Sequence, residues 1–110
     1  SVLREGKATY TDGHVEEGDY LNGWLHGQGK VTFANGDREE GGYVNGVLNG
    51  QGKITFANGD TEEGIFVDRR LNGQGKATFA NGEEQEGNFV DGVLHEGKVT
   101  FTNGHVEEGV

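Results

Sequence analysis

Between Lys30 and Tyr43 the side chains alternate in character with a period of two, and a short polar break interrupts the alternation. Lys30-Val-Thr-Phe33 leads to Ala34-Asn35-Gly36 and then to Asp37-Arg-Glu-Glu40. Successive side chains of a strand point to opposite faces. An x-Asn-Gly loop suits a three-residue hairpin, in which a type I turn ends in a left-handed glycine. That register opposes Phe33 to Asp37, Val31 to Glu39 and Lys30 to Glu40. One face then carries Val31, Phe33, Glu39, Gly41 and Tyr43, with Asp37 at its turn end. The other carries Lys30, Thr32, Arg38 and Glu40. A two-residue Asn-Gly loop would put Phe33 and Tyr43 on opposite faces. A one-residue slip is costly wherever one face is buried, so the three-residue loop is expected.

The same pattern returns along the whole chain. Gly6-Lys7, Gly29-Lys30, Gly52-Lys53 and Gly75-Lys76 lie 23 residues apart, and Gly97-Lys98 follows after 22. Hairpins are predicted at about 6–20, 29–43, 52–66, 75–89 and 97–109. In each, a lysine and a glutamate ten residues on become direct partners on the outer face: Lys7/Glu17, Lys30/Glu40, Lys53/Glu63, Lys76/Glu86 and Lys98/Glu108. Such pairs on a wet face act mainly on register and solubility, at a few tenths of a kcal/mol each, ~0.2–1 at most. Tyr10, Phe33, Phe56, Phe79 and Phe101 form one aromatic ladder, and Tyr20, Tyr43, Phe66 and Phe89 another. A lone hairpin is marginal in water, but hairpins side by side bury both ladders in a continuous core. Between hairpins lie glycine-rich connections that bring Leu25, Leu48, Leu71 and Leu94. These leucines are expected to fold over the aromatic face.

These residues resemble the MORN (membrane occupation and recognition nexus) repeat family, whose pattern is roughly Tyr-Glu-Gly-x-aromatic followed by spaced glycines ending in Gly-x-Gly. Glu40-Gly41-Gly42-Tyr43 leads to Gly46, Gly50 and Gly52; Glu63-Gly64-Ile65-Phe66 to Gly73 and Gly75; Glu17-Gly18-Asp19-Tyr20 to Gly23, Gly27 and Gly29. The resemblance covers essentially the whole chain. It implies an all-β fold: an elongated, twisted, single-layer antiparallel sheet of tandem hairpins. It also implies a scaffold, dimerisation or targeting module, often beside a catalytic domain such as a lipid kinase or methyltransferase. The chain departs from the family in three places, one being that the last unit lacks the Gly-x-Gly form. The tyrosine before Glu-Gly is replaced by Glu16, Glu39, Glu62, Gln85 and Glu107, and Arg69 stands where other units have Gly23, Gly46 and Gly92.

Composition alone would suggest disorder, with 31% hydrophobic residues and a net charge of −10. The repeat overrides that reading, because regular hairpins bury surface jointly. The acidic balance argues against nucleic-acid backbones and anionic membranes, which attract basic patches. There is no cysteine, hence no disulfide or thiolate metal site, and no apolar run approaches the ~20 residues that span a bilayer. No methionine occurs, so Ser1 is not expected to be a natural start, and a processed chain or a fragment is expected. Val2–Gly18 matches Val93–Gly109 at 13 of 17 positions. Either the chain is a window on a longer array with a four-unit superperiod, or both ends are caps of one shape.

The sharpest candidate site is the inner acidic row of Glu16, Glu39, Glu62 and Glu107. Neighbouring carboxyls, two strands apart, should lie roughly 10 Å from one another. That is too wide for one metal ion, and isolated burial of a carboxylate is expensive. The row is therefore either a solvated strip or a groove for a basic segment of a partner. Trp24, alone outside both ladders, is a candidate binding anchor or an end cover for the leucine row. No catalytic residues are expected: the only serine is Ser1, and pairs such as Glu62-Glu63 point to opposite faces. No cofactor or metal is expected. The Gly-Gln-Gly-Lys runs lack the earlier glycine and the following Ser/Thr of a phosphate loop, and the equivalent histidines lie far apart, His14 and His105 by four units and His26 and His95 by three.

The expected function is a non-enzymatic scaffold for a protein partner, with weak homo-association through open sheet edges. The alternatives are a phospholipid-targeting module, or the regulatory arm of an enzyme whose catalytic domain lies elsewhere.

Overall fold

The three-residue loops close as the alternation predicts. In the computed structural model, which describes residues 4–109, the Phe33 amide donates to the Asp37 carbonyl at 2.8 Å and the Gly36 amide to the Phe33 carbonyl at 3.0 Å. Gly36 takes the left-handed conformation, with φ of 99°. Lys30 opposes Glu40 and Val31 opposes Glu39. Ser1 and Val110, where the sequence puts the open ends of the array, lie outside the described residues.

Ten strands follow one another among the described residues: β1 (Arg4–Thr9), β2 (Val15–Leu21), β3 (Trp24–Thr32), β4 (Arg38–Val44), β5 (Val47–Thr55), β6 (Thr61–Val67), β7 (Arg70–Thr78), β8 (Glu84–Val90), β9 (Val93–Thr100) and β10 (Val106–Gly109). Each pairs antiparallel with the next, in the order of the sequence, giving one open sheet in a molecule of 49 × 26 × 16 Å. The glycine-rich connections expected between hairpins are themselves strand. Only two residues turn: Asn45 and Gly46, both left-handed at φ 49° and 83°, link β4 to β5 as a two-residue hairpin loop. Gly50 and Gly52, just beyond, stay in the ladder.

Two rows cross the whole sheet. On the outer face the register strings Lys7, Glu17, Lys30, Glu40, Lys53, Glu63, Lys76, Glu86, Lys98 and Glu108 into one line of alternating charge. The closest approaches, Lys30–Glu17 and Lys98–Glu86 at 4.0 Å, join neighbouring hairpins rather than the two strands of one. Beside it runs an unbroken row of paired glycines: 6, 18, 29, 41, 52, 64, 75, 87, 97 and 109.

The sheet folds along this glycine row into a trough. A Cβ on Gly64 would lie 2.4 Å from the Gln74 carbonyl oxygen and 2.6 Å from Gly75 Cα, so only glycine permits that approach. One wing holds the three-residue loops, and the other holds the two-residue loops. On a flat sheet the backbones of Glu39 and Arg69 would stand roughly 25 Å apart, given ~3.3 Å per residue and ~4.8 Å per strand. Their side chains in fact touch.

The core lies in the crease. Leu25, Tyr43, Leu48, Phe66, Leu71 and Phe89 are at most 1% exposed. The leucines do not fold over from a connection. They sit on strands directly opposite the second aromatic ladder, as Tyr43↔Leu48 and Phe66↔Leu71. Leu25, Leu48 and Leu71 each also cover a crease glycine: Leu48 Cδ1 lies 3.0 Å from where a Gly52 Cβ would be. The first ladder, nearer the loops, is only half-buried at Phe33, Phe56 and Phe79. Successive repeats are also tied by Asp37 and Asp60, which accept from the Ala57 and Ala80 amides at 2.8 Å.

Candidate functional site

The inner carboxylates all stand two residues before a crease glycine on even-numbered strands, yet their surroundings differ. Glu39 on β4 is 3% exposed. One of its oxygens accepts from the Tyr43 hydroxyl at 3.1 Å, and the other accepts from Arg69 Nε. The Arg69 guanidinium also lies over the Phe33 ring, 5.1 Å from its centroid. So the positive group that a buried carboxylate demands is supplied by the chain itself, from the opposite wing. Burial, followed by the Glu39 charge and its hydrogen bond, pushes the Tyr43 phenol far above its ordinary value. Tyr43 therefore stays a hydrogen-bond donor throughout the physiological range.

Arg69 occupies a backbone position built for glycine. It is the second residue of the β6–β7 loop, with φ of 71°, where Gly46 and Gly92 stand in the loops on either side. A side chain there costs about 1–2 kcal/mol, and the pairing with Glu39 and Phe33 offsets it. Arg69→Gly should therefore destabilise rather than stabilise the fold. Breaking a fully buried pair costs ~3–5 kcal/mol, but Arg69 is half exposed, so a smaller loss applies. Against the strain relieved, we expect a net loss of about 1–2 kcal/mol, read from the urea midpoint. An unchanged or raised midpoint would show that the pair does not hold Glu39.

Glu16 on β2 is met mainly by hydroxyls instead. It accepts from the Tyr10 and Tyr20 hydroxyls at 3.0 and 3.3 Å, and His14 Nε2 approaches to 3.9 Å. The His14 ring stacks on Tyr10 with centroids 4.1 Å apart and accompanies Asp12 at 2.5 Å. Burial, the Glu16 charge and its hydrogen bond raise the Tyr20 phenol to about 12. His14, Glu16, Phe33, Glu39, Leu48 and Arg69 border a cleft of about 260 Å³ between the two wings.

Glu62 on β6 is half-buried and has neither kind of support. Where Glu39 has Tyr43, Glu62 has Phe66, which carries no hydroxyl. Burial, then the Asp60 charge, raises its carboxyl above the ordinary 4.5, while Arg69 pulls the other way. The folded chain thus gives up this proton later than the unfolded chain does. Stability falls as pH rises from 4.5 through the folded value, and stays lower at neutrality. Glu62→Gln should accordingly raise the urea midpoint at pH 7, with the gain vanishing below pH 4.5. A gain independent of pH would point to packing instead.

The remaining members part company with the row. Gln85 is half-buried, whereas Glu107 on β10 is exposed, its side chain 64% accessible, with His105 Nε2 at 3.4 Å. The row is thus inward-facing at Glu16, Glu39 and Glu62, and open to water at Glu107. Trp24 is 59% exposed. It does not cover the leucines but lies against the next two-residue loop, its ring 2.7 Å from where a Gly46 Cβ would be. Among the described residues no three histidine, aspartate or glutamate side chains converge as metal ligands.

Sequence reasoning flagged the inner row but missed Arg69 as its partner. The available signal was the single arginine among the loop glycines. The MORN repeat family model matches the chain three times, over residues 17–38, 40–61 and 63–84. Comparison with curated proteins gives no significant match.

Proposed function

The chain belongs to the MORN repeat family, and on that premise we propose that it is a non-enzymatic scaffold that binds a protein partner carrying a basic segment along the inner face. One observation carries this reading. The inner face is a trough in which buried Glu39 is met by a positive group and a hydroxyl and half-buried Glu16 by two hydroxyls, whereas half-buried Glu62 has no such partner among the described residues. A net charge of −10 favours the approach of such a segment at long range.

The test is a fluorescence-anisotropy titration of short labelled peptides, rich in arginine or in lysine, with an acidic peptide as control. Anionic phospholipid vesicles are assayed in parallel. Binding of the basic peptides that weakens steadily between about 0.05 and 0.5 M salt is expected, with none to vesicles. Vesicle binding without peptide binding would overturn the reading in favour of a membrane module.

A further inference from the structure

The inner face presents one arrangement in successive repeats: an aromatic ring and a carboxylate on one wing, and the second residue of a two-residue loop on the other. The backbone holds it in the same way in neighbouring repeats. The amides of Phe33 and Phe56 donate to the carbonyls of Asp37 and Asp60, each at 2.8 Å. The amides of Arg69 and Gly92 donate to the carbonyls of Leu48 and Leu71, at 2.9 and 2.8 Å. In one repeat the ring is Phe33, the carboxylate Glu39, and the loop residue Arg69, whose guanidinium lies on the first and pairs with the second. In the next the ring is Phe56, the carboxylate Glu62 and the loop residue Gly92.

Two observations separate this second place from the first. Among the described residues, no hydrogen bond or ion pair reaches the Glu62 carboxylate. Asp60 stands beside it as Asp37 stands beside Glu39, and the Arg69 charge acts on it without pairing with it. Nothing lies within 4 Å of where a Gly92 Cβ would be, so the loop leaves open space in the direction from which Arg69 projects one repeat earlier. The Glu16 position differs, because Tyr10, Tyr20 and His14 already attend its carboxylate and Trp24 covers Gly46.

We infer that the place formed by Phe56, Glu62 and Gly92 takes the guanidinium of an arginine carried by a partner protein, seated as Arg69 is seated on Phe33 and Glu39. This rests on the reading of the inner face as a protein-binding surface, and names the side chain it selects. Arginine fits better than lysine for two reasons. Its planar cation stacks on a ring while its N–H groups stay in plane to reach a carboxylate, and it is more weakly hydrated.

The experiment is an NMR titration of the uniformly ¹⁵N-labelled chain with a blocked Gly-Arg-Gly peptide. The lysine and citrulline counterparts are run beside it. Shifts that saturate and concentrate at the Phe56, Glu62 and Gly92 amides are expected. Glu62→Gln should weaken binding roughly tenfold, as loss of a charge-assisted hydrogen bond would. Gly92→Arg, which brings the chain's own guanidinium to the place, should weaken it similarly. Glu63→Gln, on the outer face opposite Lys53, should leave it unchanged. Backbone spectra of each variant confirm the fold, and Arg69 shows that this loop position accepts arginine.

Equal shifts in the wild type, Glu62→Gln and Gly92→Arg chains would overturn the assignment. So would shifts spread along the outer lysine–glutamate row, or a citrulline peptide that binds as well. If basic peptides bind the chain but the arginine peptide is indifferent to Glu62→Gln, the arginine assignment fails while the acidic-trough reading stands. If no basic peptide binds, both fail.

Discussion

Gly64→Ala is expected to cost about 4 kcal/mol or more, placing it among the exceptional single substitutions. Two causes act together at this site. Its φ of 142° lies in the region that side chains rarely adopt. The added methyl would also meet backbone on the facing strand, at 2.4 Å from the Gln74 oxygen. Neither contact is the movable end of a side chain, so relief requires the two strands to part. Parting them opens the crease on which both wings depend. A domain of this size has only about 5–15 kcal/mol in hand, so the variant should unfold at a much lower urea concentration. Gly104→Ala is the matched control. It is also left-handed, at φ 89°, but has nothing within 4 Å of its Cβ position. It should show only the conformational cost of ~1–2 kcal/mol. Equal losses in the two variants would mean that close approach across the crease is not what fixes these glycines.

Phe66→Ala should lose about 3–5 kcal/mol, the usual cost of emptying a buried phenyl site. Its ring is 0% exposed and stands opposite Leu71 in the crease. Neither wing can collapse inward, because Gly64 and Gly75 already bring the backbones together beneath it. Ile65→Ala, one residue away but on the outer face and 38% exposed, should cost under about 1 kcal/mol. Contacts in a repeat array run only between neighbours, so the loss should fall on the third repeat and its two flanks. Amide hydrogen exchange would show it there first. A Phe66→Ala chain as stable as Ile65→Ala would contradict the placement of the core.

The hairpin register could be read directly from Lys30 to Tyr43, because only one loop length keeps Val31, Phe33 and Tyr43 on one face. The lysine–glutamate pairs within each hairpin follow from that register, whereas their joining into one row needs the register between hairpins as well. The crease was less accessible. Each of its glycines matches the repeat pattern, but the sequence also allows them to be a flexible connection. What separates the two readings is that Gly41, Gly52 and Gly64 come opposite one another once the two-residue loop at Asn45-Gly46 is recognised. The leucines were correctly assigned to the core for a related reason, although their route there was not. The pairing of Glu39 with Arg69 could not be seen along the chain. It joins residues 30 apart, and only folding of the sheet brings them together. The difference between Glu39 and Glu62 has the same origin: one faces an arginine across the trough and the other faces a glycine.

That the sheet is folded, with its two loop wings face to face, is the claim on which the site rests. A double-mutant cycle between the wings tests it most directly. Stabilities of the wild type, Glu39→Gln, Arg69→Gln and the double variant are measured by urea unfolding at neutral pH. Residues in contact couple by ~0.5–3 kcal/mol, and those on a flat sheet roughly 25 Å apart would not couple. The folded trough predicts a favourable coupling of about 1–2 kcal/mol; a coupling below about 0.3 kcal/mol would contradict it.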